Sequence, residues 1–178
     1  MAVNQNIQNF YRVAANRDFA RDFLFRVIDF KLTGVPAMTE DQLIYAKSAS
    51  VPARSIGNVP VPYMGLPLNV PGSVTYPGSE AYSLKFFLDE NSSLRNYFEG
   101  ASRTIFDDQT STGAYSTPGE DSFIVLAQLD KQLEITSTYK LVGASIRNIE
   151  PIEYQISGGT GQTVEVGVTF AYHYYTTD

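Results

Sequence analysis

Four prolines interrupt a short and otherwise apolar stretch, VPVPYMGLPLNVPG, at residues 59–72. Proline fixes φ and lacks a backbone N–H, so this stretch cannot be a helix or a fully paired central strand. A solvated linker would not carry so many large apolar side chains. We therefore expect a stiff, extended segment that cannot pair fully within its own sheet and that packs against another surface.

The remainder of the chain is dominated by patterns typical of β-strands. Residues 22–32, DFLFRVIDFKL, predict a first strand. Phe23, Phe25 and Val27 would lie on one face. The apolar residues of the opposite face would be Leu24, Ile28, Phe30 and Leu32. Because both faces are apolar, we expect one to meet the core and the other to be covered by a helix or a neighbouring subunit.

Further strands are predicted at residues 43–51, 81–88, 122–130, 133–149 and 163–176. Gly143 marks a change of apolar phase and predicts a bend. The last strand alternates, with a core face formed by Val164, Val166, Val168, Phe170, Tyr172 and Tyr174. One helix is predicted at about residues 90–105, capped by Asp89 or Asn91. Residues 1–21 suggest a helical lead-in anchored by Phe10, Val13 and Ala14.

The length of 178 residues and the 43% apolar content fit one domain over residues 1–178. These elements predict a mainly β fold, an antiparallel β-barrel or sandwich with one packed helix. The chain has no cysteine, so a disulfide framework is excluded. We find neither the apolar core of a signal peptide nor a stretch long enough to span a membrane, and we expect no membrane span.

The charge of the chain is unevenly distributed. Residues 1–106 hold 10 Lys or Arg against 9 Asp or Glu, whereas residues 107–178 hold 3 against 10. The net charge of −6 disfavours tight binding of nucleic acid through its phosphates. A solvated acidic surface that aids solubility is the simpler interpretation.

No group of residues predicts catalysis, a metal site or a cofactor. His173 is the only histidine and lies in a predicted strand, so a zinc site or a histidine-activated nucleophile is not expected. The glycine-rich SGGTGQ at residues 157–162 lacks the Lys-Ser/Thr of a phosphate-binding loop and predicts a turn. The chain is not expected to be an enzyme.

The order of these features resembles the tail tube proteins of contractile-tailed bacteriophages, which are related to type VI secretion and pyocin tubes. The resemblance rests on RDFLFRVIDF, IYAKSASVP, the proline-rich stretch, SLKFFLDENSSLRNYFE, YKLVGASIRNIEPIEY and VEVGVTFAYHYY, in that order. It covers nearly the whole chain. The absence of tryptophan and the presence of His173 in the last strand depart from the family pattern.

The resemblance implies a structural subunit of a virion tail, assembled in the host cytoplasm. Six copies would form a ring, and rings would stack into a hollow conduit for DNA ejection through the host envelope. The implied partners are further copies of the chain, the tail sheath, the baseplate and the tail terminator. Tape-measure protein and DNA would pass through the lumen without specific binding.

Within that assembly, the candidate contacts between subunits are Val59, Pro60, Val61, Pro62, Tyr63, Met64, Leu66, Phe23 and Phe25. Glu134 and Glu165 are candidates for charge on the lumen, because an acidic or neutral lumen would not hold DNA. Two alternatives remain open. One is a tube initiator or tail terminator of the same fold, and the other is a soluble ligand-binding β-barrel.

Overall fold

The computed structural model describes residues 7–16, 19–115 and 117–178, and it is mainly antiparallel β, with 40% strand and 15% helix. The predicted fold class is confirmed. In chain order the elements are α1 (Ile7–Asn16), β1 (Phe25–Lys31), α2 (Glu40–Leu43), β2 (Ala46–Ser48), β3 (Ser55–Tyr63), β4 (Leu66–Thr75), β5 (Tyr82–Phe87), α3 (Ser93–Ile105), β6 (Phe123–Leu129), β7 (Ile135–Val142), β8 (Ser145–Ile149), β9 (Glu165–Ala171) and β10 (Tyr174–Thr177).

Two four-stranded sheets share one hydrophobic core. The first sheet has the order β1-β6-β7-β10 and the second has the order β2-β5-β9-β8. Helix α3 adds Leu94, Phe98 and Ala101 to the same core. Four fully buried phenylalanines form its centre, with ring centroids 5.2–6.5 Å apart: Phe30, Phe86, Phe98 and Phe170. Edge-to-face contacts of this kind stabilise a core beyond the burial of area alone.

Strand β1 does not keep the alternation expected from the sequence. Its register with β6 shifts between Val27 and Asp29, which is a β-bulge. Because the bulge inserts one residue, Val27 and Phe30 are both fully buried, although a regular strand would place them on opposite faces. The predicted assignment of faces in residues 22–32 is therefore wrong beyond Val27.

The two long strands predicted near the C-terminus are each divided by a bend. The chain leaves the first sheet at Gly143 to form β8, and it returns from the second sheet at His173 to form β10. Gly143 has a φ of +72°, and a Cβ there would lie 2.3 Å from His173 Nδ1. The predicted bend at Gly143 is confirmed. The expected burial of Tyr174 is wrong, because the second bend reverses the phase and Tyr175 packs on the core instead.

The predicted helix at about residues 90–105 is confirmed as α3; Ser92 is at the N-cap position, and the predicted cap Asp89 acts through its side chain. Asp89 Oδ2 accepts a hydrogen bond from the Ser93 N–H at 2.9 Å, and Oδ1 accepts one from the Leu94 N–H at 3.2 Å. Partial burial would raise the pKa of Asp89, but these hydrogen bonds favour the charged form and lower it below its usual value. Asp89 thus satisfies two of the unpaired N–H groups at the helix start.

The N-terminal lead-in contains helix α1, but two of its expected anchors are exposed. Phe10 and Val13 retain more than half of their accessible surface, while Ala14 is half-buried. The Phe10 ring stacks on Phe19 at 6.1 Å. The strand predicted at residues 43–51 is shorter in the structure, where only β2 (Ala46–Ser48) is a strand and Leu43 belongs to α2. Residues 1–6 of the lead-in lie outside the described part of the chain.

Candidate assembly interface

The proline-rich stretch forms a β-hairpin that is separate from both sheets. Strands β3 and β4 pair only with each other, and every residue in them is exposed. Met64 and Gly65 form a two-residue turn with φ of 50° and 83°. Two positive φ values identify a type I′ turn, whose twist matches that of antiparallel strands. The expectation that this stretch is neither a helix nor a fully paired central strand is confirmed, but the expectation that it pairs poorly with itself is wrong, because β3 and β4 pair with each other.

Proline is compatible with this hairpin because of the register. Pro62 lies opposite Pro67, and Pro60 lies opposite Asn69. Neighbouring pairs in an antiparallel ladder alternate between hydrogen-bonded and non-hydrogen-bonded positions. A pair of prolines has no N–H to exchange, so it occupies a non-hydrogen-bonded position. The same alternation puts all four prolines where the backbone nitrogen faces away from the partner strand.

The two faces of the hairpin differ in chemistry. One face carries six apolar side chains in three opposed pairs, which we call the apolar face: Val59 with Val70, Val61 with Leu68, and Tyr63 with Leu66. Each of them retains between 44% and 66% of its accessible surface. The opposite face carries the prolines with Asn58 and Asn69. Residues 55–75 contain no charged side chain, so the hairpin offers a long uncharged surface to solvent.

The register of the hairpin shifts near its base, between Ile56 and Asn58. A Cβ on Gly72 would lie 2.6 Å from Val59 Cγ2, so a larger residue there would require the Val59 side chain to move. The nine residues of β3, at about 3.3 Å per residue, give the hairpin a length of roughly 30 Å. It is therefore long enough to reach a neighbouring protein.

Phe23 and Phe25 lie apart from the hairpin in the sequence and in the sheets. Phe23 precedes β1 and is 69% exposed, whereas Phe25 begins β1 opposite Gln128 and is half-buried. Phe23 lines a recess with Leu24 and Leu133 at the turn between β6 and β7. The structure therefore places the predicted contact residues in two separate regions, the hairpin and the start of β1.

The two lumen candidates lie in different sheets. Glu134 is exposed in the β6–β7 turn, where its N–H donates to Asp130 Oδ1 at 2.9 Å. Glu165 begins β9 and forms an ion pair with Lys47 of β2. Lys47 also lies 5.4 Å above the Phe87 ring. No local pattern indicates Lys47 as the partner of Glu165, because 118 residues separate the two in the chain.

Within the described residues, no group of three or more His, Asp or Glu could hold a metal ion. No described helix is long and apolar enough to cross a membrane. Tyr82 is buried, and its hydroxyl donates a hydrogen bond to the Ser50 carbonyl. Burial raises the pKa of Tyr82, and this hydroxyl has the role of a structural donor that fixes the segment after β2.

No protein-family model matches the chain, and no curated protein matches it either. Solved structures do match. A chain in the anti-feeding prophage baseplate matches with a TM-score of 0.62 and 15% identity, over 91% of this chain and 97% of that one. A chain in the anti-feeding prophage tube terminating cap matches with a TM-score of 0.61 and 9% identity, over 91% and 92%.

A third match is a chain in the extended sheath-tube complex of PVC, an extracellular contractile injection system. Its TM-score is 0.57 at 9% identity, over 94% of this chain and 96% of that one. At these identities the likeness is one of fold, and it extends over nearly the whole of each chain. The resemblance to tail tube proteins that the sequence indicated is confirmed at that level, and the chain has the tube-like fold found in contractile injection systems.

Proposed function

We propose that this chain is a structural subunit of the tube of a contractile tail, in which six copies form a ring and rings stack into a hollow conduit. The fold supports a tube-like role. The observation that carries the proposal is the exposed hairpin. A two-stranded hairpin alone in water is at best marginally stable, and an uncharged apolar face of this length is typical of a surface that a partner covers.

The mode of assembly follows from the shape of the contact. A hairpin that packed on the same hairpin of another copy would give a closed dimer, so a ring requires it to meet a different surface on the next copy. Such head-to-tail contacts close into rings when the rotation allows and otherwise continue as filaments. In a tube of stacked rings, one contact closes around the ring and another continues from ring to ring along the axis. Val59, Val61, Tyr63 and Leu66, with Met64 at the turn, would form the stacking contact, and Pro60 and Pro62 would keep its backbone extended from the opposite face. Phe23 and Phe25 would contribute a second contact.

The biological setting is also part of the proposal. The chain would belong to a phage virion tail, assembled in the host cytoplasm, with sheath outside the tube and baseplate and terminator at its ends. Tape-measure protein and then DNA would occupy the lumen during ejection. Glu134 and Glu165 would face that lumen, where Glu134 supplies negative charge and Lys47 offsets the charge of Glu165. An acidic or neutral lumen avoids the phosphate contacts that hold DNA.

A charge on the apolar face tests the proposal. Val61→Asp would place an unpaired carboxylate in the contact, and we expect association to weaken by about a hundredfold or more. Asn69→Asp adds the same charge on the opposite face of the same hairpin and is the matched control. Sedimentation and negative-stain images measure assembly, and circular dichroism checks folding. Wild-type protein that remains monomeric at high concentration would contradict the proposal.

A tube initiator or tail terminator of the same fold is the second candidate. It is favoured by the similar TM-scores of the chains from a baseplate, a tube terminating cap and a sheath-tube complex. Such a protein would form one ring, so counting its copies per particle separates it from the tube subunit. A ligand-binding barrel has less support, because the four core phenylalanines fill the space between the sheets.

A further inference from the structure

The hairpin cannot extend another β-sheet through either of its outer edges. Between Asn58 and Pro71, six positions face outward along those edges, and prolines occupy four of them: Pro60, Pro62, Pro67 and Pro71. Asn58 and Asn69 are the other two and supply the only outward N–H donors in that stretch. An added strand would leave most of its own carbonyl groups unpaired. The hairpin must therefore bind its partner through a face.

The structure also contains a recess suited to an uncharged partner. This groove, which we call the α3–β8 groove, has a volume of about 370 Å³ and lies between the end of β1, helix α3, the segment that follows α3, and β8. Its apolar lining includes Leu32, Ala101, Ile105, Tyr115 and Ile146. Arg147 is the only charged residue among the described residues that line it.

Two other recesses are less suited to the hairpin. The one beside Phe23 is lined by Arg21, Asp130 and Lys131, and a third one is lined by Arg21 and Asp22. The hairpin has no charged side chain to pair with them. Among the described lining residues, the α3–β8 groove has one that is charged, whereas these two recesses have three and two, so the groove is the better match in polarity for the uncharged hairpin.

We propose that the apolar face of the hairpin docks into the α3–β8 groove of a second copy of this chain, while the four prolines prevent strand addition at its edges. This inference rests on the proposed function of a self-assembling subunit. Both surfaces are exposed on the same molecule, so the contact is heterologous and can propagate from copy to copy.

The absence of cysteine allows a direct test by disulfide crosslinking. Val61→Cys and Ile105→Cys subunits, mixed and oxidised under assembly conditions, should form a covalent heterodimer. Asn69→Cys lies next to Leu68 but on the proline face, so with Ile105→Cys it should crosslink at least tenfold less. Leu133→Cys in the recess beside Phe23 serves as the control acceptor.

The outcomes separate this inference from the proposed function. Crosslinking of Val61→Cys to Ile105→Cys in preference to both controls supports docking in the groove. Preferential crosslinking to Leu133→Cys, or rings and tubes without any crosslink to Ile105→Cys, overturns the groove but leaves the assembly role intact. Failure of wild-type protein to assemble overturns both.

A second experiment tests the prolines separately. Replacing Pro60, Pro62, Pro67 and Pro71 with Val restores four outward N–H groups, and we expect disordered, thioflavin-positive aggregates to increase several-fold. Asn58→Val with Asn69→Val adds strand-forming side chains without new N–H groups and should assemble as the wild type does. Regular assembly of the proline variant, without aggregates, would overturn the protective role of the prolines.

Discussion

Single residues fix the two bends that define this fold. Gly143 and His173 lie against each other where the chain passes between the sheets, and the His173 N–H donates to the Val142 carbonyl at 2.9 Å. Buried Ser122 supports the same bend, because its carbonyl accepts the N–H groups of Gly143 and Ala144 at 2.8 and 3.2 Å. The corner is therefore set by backbone hydrogen bonds and by the lack of a side chain at Gly143.

Gly143→Ala should destabilise the fold through two separable effects. The left-handed conformation costs about 1–2 kcal/mol for a residue with a Cβ, and the new methyl group would displace the His173 ring. His173→Ala removes the second effect but not the first. We expect the free energy of unfolding, measured in urea, to fall less when Gly143→Ala is made in the His173→Ala background. Equal losses in both backgrounds would contradict the contact.

Asp89→Ala should weaken helix α3 by about 1 kcal/mol at pH 7, as loss of a helix cap usually does. The pKa of Asp89 is lowered in the folded state, so its contribution is present above the unfolded value near 3.8 and is lost as pH falls through the lowered folded value. The difference between wild type and variant in urea unfolding should therefore shrink at acidic pH. Glu90→Ala, at the exposed neighbouring position, is the matched control for the removal of a carboxylate.

Elements defined by local patterns were predictable, and those defined by long-range pairing were not. The amphipathic spacing of α3 and the apolar runs of β5 and β6 are properties of neighbouring residues. The hairpin was also accessible in principle, since Pro62 and Pro67 lie at equal distances from Met64-Gly65 and Pro60 and Pro71 keep the same two-residue alternation along their strands. It was missed because Met is an unusual first residue for a type I′ turn. The β1 bulge depends on the register with β6, and the α3–β8 groove depends on packing, so neither leaves a local signal.

Helix α1 should contribute little to the stability of the two-sheet body. Its apolar stripe is largely exposed at Ile7, Phe10 and Tyr11. Removal of residues 1–16 should therefore change the free energy of unfolding by no more than about 0.5 kcal/mol, as for other changes at exposed positions. Urea unfolding measures this, and hydrogen exchange of the α1 amides in the full chain should be fast. A loss of several kcal/mol would mean that α1 packs on the body more extensively.

At the scale of the whole molecule, the charge distribution connects the fold to the proposed conduit. The acidic excess belongs to residues 107–178, which supply five of the eight strands in the two sheets. The negative charge of Glu165 is offset by the positive charge of Lys47, with which it forms an ion pair. A test of lumen charge must therefore distinguish the potential of the lumen from the loss of this ion pair.

Glu165→Lys should slow DNA passage if Glu165 faces the lumen of a six-subunit tube. The substitution changes each subunit by two charges, and hence each ring by about twelve. Each additional phosphate contact strengthens DNA binding through counterion release, and these contacts accumulate along a stacked tube. The lost exposed ion pair should cost the fold only about 0–1 kcal/mol. Ejection from particles carrying the variant, measured at low and high salt, should be slow at low salt and recover as salt rises.

The double variant Lys47→Glu with Glu165→Lys is the matched control, because it keeps the ion pair and the net charge of the subunit. Slow ejection by the single variant together with normal ejection by the double variant would attribute the effect to the net potential of the lumen. If both variants eject DNA normally, Glu165 does not face the lumen. If tubes form with the double variant but not with the single one, the ion pair acts in assembly, and Glu134→Lys becomes the appropriate test because the Glu134 side chain is exposed in the β6–β7 turn.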